Sequence, residues 1–160
     1  MPLDPDIKLT TIDGEPRTLA DFAGRALLIV NVASKCGFTP QYEGLEALQR
    51  RFSERGFCVL GFPCDQFGRQ EPGDESQIKA FCEGSYSVSF PMFAKIEVNG
   101  PRTHPLFAAL KRAAPGLLGA QSIKWNFTKF LVGRDGEALR RYAPTAAPAS
   151  LVGAIEAALA

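Results

Sequence analysis

The sequence predicts an α/β domain with a central mixed sheet and helices on both faces. Two apolar runs of strand length, Ala26–Val32 and Phe57–Phe62, flank a stretch with helical spacing. Continuous apolar runs indicate strands buried on both faces, and a strand–helix–strand order gives a parallel pair with a right-handed crossover. Turn signals at Asp13-Gly14 and over Gly133–Gly136 predict one hairpin near each end of the chain, which adds antiparallel strands.

The helix between the two buried strands has start and stop signals. Thr39 is predicted to cap it and Pro40 to open it, because a hydroxyl accepts a free backbone N–H and proline suits the first turn. Gly56 is predicted to end it. Between these residues the apolar side chains recur at helical spacing, at Leu45, Leu48 and Phe52.

The remaining elements follow from similar signals. Asp74 and Gln77 form a capping-box pattern, which starts a helix over Asp74–Glu83. Pro105 lies in the first turn of a helix that begins near Thr103. The other predicted elements are the first hairpin strands Ile7–Thr10 and Pro16–Leu19, a short strand over Met92–Val98, the closing strands Phe127–Val132 and Ala138–Tyr142, and a final amphipathic helix over Pro148–Leu159.

This order of elements fits a thioredoxin-like fold in a single domain over residues 1–160. No repeat, low-complexity tract or linker divides the chain. In α/β sheets, ligands bind beyond the carboxyl ends of the parallel strands. Cys36 and Cys64 each follow a buried strand, so both are expected at that edge.

Composition excludes several classes of function. The chain has 160 residues, of which 46% are apolar and 22% charged, and its net charge is +1. This balance gives no electrostatic case for binding nucleic acid or an anionic membrane. No apolar stretch approaches the roughly 18 residues that span a bilayer. The acidic start, residues 1–6, does not resemble a secretory signal, so we expect a cytoplasmic protein.

The four cysteines indicate free thiols rather than a disulfide framework or a metal site. They stand at positions 36, 58, 64 and 82, and no pair has the spacing C-x-x-C. With a single histidine in the chain, no metal site is predicted, and no cofactor is expected. Cys58 lies within a buried run and is expected in the core, and Cys64 is expected to be structural.

Cys36 is the candidate reactive thiol. It lies in a loop between a buried strand and a predicted helix N-terminus, where free backbone N–H groups and the helix dipole stabilise an anion such as a thiolate. The alternative is a small buried hydrophobic residue, which is the commonest role of a free cysteine. Position alone does not decide between these two roles.

Three polar segments are expected to converge near Cys36. They carry the motifs Asn-Val-Ala-Ser-Lys-Cys-Gly-Phe-Thr at 31–39, Phe-Gly-Arg-Gln-Glu-Pro-Gly at 67–73 and Trp-Asn-Phe at 125–127. With these motifs the chain resembles the glutathione peroxidase family, in its cysteine-type, thioredoxin-dependent branch. The resemblance covers nearly the whole chain, from Ile7 to Leu151.

The resemblance implies a peroxidatic nucleophile, Cys36, and a catalytic tetrad completed by Gln70, Trp125 and Asn126. A thiolate that attacks a peroxide O–O bond becomes a sulfenic acid. Side-chain amides and an indole N–H are neutral donors, which hold a thiolate or a developing oxyanion without adding a titrating group. Lysines adjoin the motifs at positions 35 and 124 and are expected to be solvated.

The resemblance also implies a resolving cysteine on the helix after the second motif, where Cys82 stands, and thioredoxin as the reductant of the resulting disulfide. Glutathione remains the alternative reductant. Cys82 shares an apolar helix face with Ile78 and Phe81, whereas a disulfide requires the two Cα atoms within about 7 Å. We therefore expect the helix over Asp74–Glu83 to unwind locally during turnover.

Two features depart from the family pattern. Asp65 stands where the family commonly has asparagine. Its carboxylate is expected either to cap the loop or to perturb the electrostatic potential of the site. The segment Leu110–Lys124 is short compared with tetrameric members, which favours a monomer whose open site admits hydrogen peroxide and bulky organic or lipid hydroperoxides.

Two other functions remain open from the sequence. A peroxide sensor, which passes its oxidation to a partner protein, needs the same residues. A thiol–disulfide oxidoreductase is disfavoured, because Thr39 occupies the position of a second cysteine.

Overall fold

The computed structural model describes residues 1–160, in six strands and four α-helices. The helices are α1 (Gln41–Phe52), α2 (Glu75–Tyr86), α3 (Pro105–Ala113) and α4 (Val152–Leu159). The strands are β1 (Lys8–Thr10), β2 (Pro16–Thr18), β3 (Ala26–Val32), β4 (Phe57–Pro63), β5 (Lys129–Val132) and β6 (Ala138–Tyr142). Short 3-10 helices cover Leu19–Phe22, Ser53–Arg55, Leu117–Gly119 and Pro148–Leu151.

The central sheet has the strand order β4-β3-β5-β6. β3 pairs in parallel with β4, with Val30 opposite Gly61, and antiparallel with β5, with Val30 opposite Lys129. Every residue of β3 and β4 is buried, as their continuous apolar runs predict. The mixed sheet and both hairpins are therefore confirmed, and β1 and β2 form a separate two-stranded sheet.

Two apolar cores cover the two faces of the sheet. The core on one face includes α3 residues such as Leu106 and Phe107. The core on the other face includes residues of α1, α2 and α4, such as Leu45, Ile78 and Ile155. Helices thus lie on both faces, as predicted. None of them combines the length and the apolar character that crossing a membrane requires.

The predicted strand over Met92–Val98 is wrong. Met92 and Phe93 make only isolated bridges, to Gly61 and Thr11. The Lys95 backbone N–H donates to the Glu75 carboxylate of α2 at 2.9 Å, although the Ile96 N–H still donates to the Pro63 carbonyl of β4 at 2.9 Å. The segment therefore makes scattered single bonds and bridges and forms no continuous ladder.

The ends of two helices also differ from the prediction. Thr39 is not a cap: α1 begins at Gln41, and Pro40 occupies the cap position without a side-chain bond. The capping box of α2 is confirmed, since the Asp74 carboxylate accepts from the Gln77 backbone N–H at 2.9 Å. However, α2 continues through Gly84 to Tyr86, because the apolar face goes on past Cys82.

Candidate active site

A tight turn after β3 holds Cys36. The Cys36 backbone N–H donates to the Thr39 hydroxyl at 2.9 Å, and that hydroxyl donates to the Ala33 carbonyl at the same distance. The turn directs the Phe38 backbone N–H at the Cys36 sulfur, 3.3 Å away. The sulfur thus accepts a hydrogen bond from the turn itself, whereas α1 begins only at Gln41. The side chain is 8% exposed.

Gln70 is joined both to the Cys36 turn and to Asn126. The Asn126 side-chain amide donates to Gln70 Oε1 at 3.0 Å, and the Lys35 backbone N–H donates to the Gln70 carbonyl at 3.0 Å. Because Gln70 Oε1 accepts this bond, the NH₂ group is the end of the Gln70 amide that remains free to donate. Gly68, at φ 64°, lets this segment approach Trp125: a Cβ there would lie 3.3 Å from the indole ring.

The end of β3 orients Trp125 and Asn126. The Phe127 backbone N–H donates to the Asn31 carbonyl at 2.6 Å, and the Asn31 side-chain amide donates to the Trp125 carbonyl at 3.2 Å. Phe127 has a φ of 63°, a strained value for an aromatic residue. Such strain is typical of functional sites. Here the Phe127 conformation sets the direction of Asn126, the residue just before it. The sequence placed Asn31 in a motif but assigned it no role.

The structure thus gathers Gln70, Trp125 and Asn126 around the segment that carries Cys36. Their side chains do not hydrogen-bond the Cys36 sulfur itself, which accepts only from Phe38. Lys35 and Lys124 are exposed, and the Lys124 ammonium donates to the Ser122 hydroxyl at 2.9 Å.

Glu71 is a buried carboxylate that the sequence analysis missed, although it lies in the second motif. Its side chain is fully buried, and Oε1 accepts from the Ser34 backbone N–H at 3.1 Å. Burial raises the pKa of Glu71 to about 6. Asp65 accepts from the Glu71 backbone N–H at 2.9 Å, so Asp65 acts as a loop cap. Within the motif, Glu71 stands between Gln70 and the Pro72-Gly73 pair. An acidic residue next to a candidate catalytic residue was the signal that could have indicated its role.

The four thiols divide between the two faces of the sheet. Cys36 and Cys82 belong to the core of α1, α2 and α4, whereas Cys58 and Cys64 belong to the core of α3. Cys82 is 1% exposed, and burial raises the pKa of its thiol to about 11. The Cys64 thiol lies 3.5 Å from Gln66 Oε1.

Fold and site together define a thiol-dependent oxidoreductase on a thioredoxin-like scaffold. The fold resembles that of a thioredoxin-family thiol:disulfide interchange protein from Chlorobium tepidum, with a TM-score of 0.71 and 17% identity over 100% of this chain and 98% of that one. Unlike a dithiol enzyme, this chain has a single cysteine in the turn, with Thr39 three residues on.

The family model for glutathione peroxidase matches residues 6–111. The chain is 58% identical over 150 residues to the hydroperoxy fatty acid reductase gpx1 of Synechocystis sp., covering 91% of this chain and 89% of that protein. It is 51% identical over 156 residues to the thioredoxin/glutathione peroxidase BtuE of Escherichia coli, covering 86% and 85%. The chain belongs to the glutathione peroxidase family, which confirms the resemblance drawn from its motifs.

Proposed function

We propose that this peroxidase reduces hydroperoxides with Cys36 as its nucleophile. The Cys36 thiolate attacks the terminal oxygen of the peroxide, the O–O bond breaks, and a sulfenic acid and an alcohol or water result. The observation that carries the proposal is the Asn126–Gln70 hydrogen bond beside the Cys36 turn. It frees the Gln70 NH₂ group to stabilise charge, first on sulfur and then on the departing oxygen.

Replacement of the nucleophile tests this step. Cys36→Ser is expected to abolish peroxide consumption, whereas Cys58→Ser, in the core across the sheet, is expected to keep it. The measurement is stopped-flow consumption of hydrogen peroxide by the reduced protein. Consumption by Cys36→Ser at the wild-type rate would contradict the assignment.

We further propose Cys82 as the resolving cysteine. Support comes from its position in the same core as Cys36, while Cys64 belongs to the core on the opposite face. Cys82 is followed by a full turn of α2 and its carbonyl accepts from the Val88 N–H, so the helix has to open for the thiol to travel. Local opening of this kind is a low-energy fluctuation compared with global unfolding.

Mass spectrometry of peroxide-treated protein tests the pairing. The expected product is a Cys36–Cys82 disulfide in the wild type and in the matched control Cys64→Ser. Overoxidised Cys36 together with reduced Cys82 would overturn the proposal.

Thioredoxin is proposed as the reductant of that disulfide. A dithiol reductant such as thioredoxin reduces an intramolecular disulfide by thiol–disulfide exchange. The Escherichia coli relative is named a thioredoxin/glutathione peroxidase, so both reductants require testing. A coupled assay with thioredoxin and its reductase is expected to give faster turnover than glutathione with its reductase, and equal rates with glutathione alone would contradict the preference.

The proposed substrates include bulky organic and lipid hydroperoxides as well as hydrogen peroxide. The Synechocystis relative is named a hydroperoxy fatty acid reductase. In this chain, only the short 3-10 turn Leu117–Gly119 lies between α3 and the Trp125 segment. Turnover of a fatty acid hydroperoxide is expected to be comparable with that of hydrogen peroxide, and strict preference for hydrogen peroxide would count against an open site.

A monomer in the cytoplasm completes the proposal. The short connection after α3 supports a monomer, and the four unpaired thiols fit a reducing compartment. Sedimentation at micromolar concentration and fractionation of the native host test the two statements separately; a stable oligomer or a secreted form would contradict them.

A further inference from the structure

The buried carboxylate of Glu71 has no part in the cycle described so far. Glu71 Oε1 accepts from the Ser34 backbone N–H at 3.1 Å, but Oε2 is buried without a hydrogen-bond partner. Burying an ionised carboxylate is unfavourable unless its oxygens are paired, and buried polar atoms are rarely left unpaired. A buried, half-satisfied carboxylate beside the nucleophile loop therefore requires an explanation.

Glu71 lies on the boundary between the Cys36 loop and α2. It borders a cavity of about 390 Å³ that the loop and the helix line together. The loop contributes Ser34 and Lys35 and the helix contributes Gln77, Ile78 and Phe81, the residue before Cys82. Cys82 itself does not line this cavity; its thiol borders another cavity, with Ile12 and Met92, and has to leave that position to react with Cys36.

The Cys82 thiol needs a base at this stage. In closed α2, burial and to a smaller extent the Glu71 charge raise the pKa of Cys82 to about 11. Once α2 opens, a thiol with an ordinary pKa of about 8.5 is still mostly protonated at neutral pH. A general base works best when its pKa lies near the working pH. Burial raises the pKa of Glu71 to about 6, which leaves it ionised and basic at neutral pH.

We propose that Glu71 is the proton acceptor for Cys82 in the step that resolves the Cys36 sulfenic acid, an inference that rests on the function proposed above. As the Cys82 sulfur attacks the Cys36 sulfur, its proton passes to Glu71 Oε2. The S–S bond forms and the S–O bond breaks. The proton then passes from Glu71 to the departing hydroxide, which leaves as water, and the carboxylate is regenerated.

The charged and titratable groups around Glu71 set its basicity. Tyr42 of α1 and Cys82 of α2 lie near it; burial is the main cause that raises the pKa of both, and the Glu71 charge adds to it. The charge of Lys95 lowers the pKa of Glu71, and the charge of Asp65 raises it. Lys35 lines the shared cavity. Removing the Asp65 charge alone is therefore expected to lower the pKa of Glu71.

Single-turnover kinetics of Glu71→Gln test the proposal. The amide oxygen of glutamine still accepts from the Ser34 N–H, so the loop keeps its bond. After mixing with hydrogen peroxide, acid quenching and thiol trapping, mass spectrometry separates Cys36 sulfenic acid from the Cys36–Cys82 disulfide. Disulfide formation is expected to slow by about 100-fold. Formation of the sulfenic acid is expected to be unchanged.

The pH profile separates a base from a structural role. In the wild type the rate of disulfide formation is expected to rise through pH about 6 and then level off, because Glu71 titrates there. Direct ionisation of the Cys82 thiol would instead keep the rate rising well above pH 7, because a thiol has an ordinary pKa of about 8.5. In Glu71→Gln the rise near pH 6 should vanish, and in Asp65→Asn it should move to lower pH.

The outcomes distinguish this inference from the proposed function. Absence of a Cys36–Cys82 disulfide in the wild type overturns the proposed function, and this inference with it. A disulfide that forms in Glu71→Gln at the wild-type rate and with the wild-type pH profile overturns the inference alone. If Glu71→Gln does not fold, the wild-type pH profile decides, because a rate of disulfide formation that shows no rise near pH 6 contradicts the assignment.

Discussion

Single residues at the candidate site act mainly by orienting one another through hydrogen bonds. Asn126 is fully buried, and its amide holds Gln70 Oε1 so that the Gln70 NH₂ group is the free end. The Thr39 hydroxyl accepts from the Cys36 N–H and donates to the Ala33 carbonyl, and thereby sets the turn. The reactive sulfur thus depends on side chains that do not touch it.

Removing the Asn126 amide tests this dependence. Asn126→Ala leaves Gln70 free to rotate, so the second-order rate of Cys36 oxidation is expected to fall about 100-fold, as when an oxyanion-hole donor is removed. Stopped-flow Trp fluorescence with hydrogen peroxide measures it. Gln121→Ala, an exposed amide in the preceding segment, serves as the control and should be unaffected. A wild-type rate in Asn126→Ala would show that the Asn126–Gln70 bond is not required.

The raised pKa of Glu71 also leads to a prediction about the free energy of unfolding. Its pKa is raised in the fold to about 6, so the native state binds more protons than the unfolded chain, and stability falls as pH rises through this range. Glu71→Gln removes the effect and is expected to be more stable than wild type by about 2 kcal/mol at pH 7.5. Urea unfolding should show this difference disappearing by pH 4. An equal difference at both pH values would mean that ionisation is not its cause.

At the scale of elements, α2 is the segment whose opening the proposed cycle requires. Its side chains Phe81 and Tyr86 pack around Tyr42, with ring centroids 6.5 and 5.5 Å away. Lys79 forms an ion pair with Asp13 of the first hairpin turn, at 2.7 Å. Exposed pairs of this kind contribute little, so the aromatic packing and the helix itself hold Cys82 in place.

Helix propensity should therefore set the rate of disulfide formation. Gly84 lies inside α2 with open space where a Cβ would stand. Gly84→Ala is expected to stabilise the helix by about 1 kcal/mol and to slow disulfide formation about fivefold, since opening precedes reaction. Quenched-flow mass spectrometry measures the rate.

Gly153→Ala in α4 is the matched control, because Gly153 also lies within a helix and has open space where a Cβ would stand. It should stabilise the protein without slowing the disulfide. Asp74→Ala, which removes the cap of α2, should act in the opposite direction and speed the reaction. Equal slowing by both glycine replacements would exclude local opening of α2.

At the scale of the whole molecule, a buried lysine joins the sheet to the C-terminal segment. Lys129 in β5 is fully buried, and its ammonium donates to the carbonyls of Pro144 at 3.1 Å and Ala146 at 2.7 Å. These bonds secure the connection between β6 and the 3-10 turn Pro148–Leu151. Burial lowers the pKa of Lys129 to about 8.

The lowered pKa gives stability a distinct dependence on pH. Between about pH 8 and the ordinary lysine value of 10.5, the unfolded chain binds the proton that the native state has lost, so stability rises with pH. Across this range the free energy of unfolding of the wild type should rise by up to about 3 kcal/mol relative to that of Lys129→Met. Chemical denaturation at pH 8 and pH 10.5 measures it, with the exposed Lys124→Met as control. A constant difference between wild type and Lys129→Met would contradict the lowered pKa.

Local patterns predicted most of the fold because each depends on near neighbours. The apolar run Ala26–Val32 coincides with β3, and the Asp74–Gln77 pair caps α2 as expected. Two failures arose because a group found another partner. The Lys95 N–H donates to the Glu75 carboxylate of α2, and the Thr39 hydroxyl bonds to the Cys36 loop before it instead of to the helix after it.

The sequence by itself determined the family, the thioredoxin-like order of elements and the candidates Cys36, Gln70, Trp125, Asn126 and Cys82. The order of elements follows from residue types and spacing along the chain, whereas the family and these candidates follow from the resemblance that the three motifs carry. Only the tertiary structure decided that Cys36 and Cys82 share one core while Cys64 belongs to the other, and that Glu71 is buried between the nucleophile loop and α2. Burial and the face of a sheet depend on contacts between distant segments, and those contacts also raise the pKa of Glu71 and Cys82.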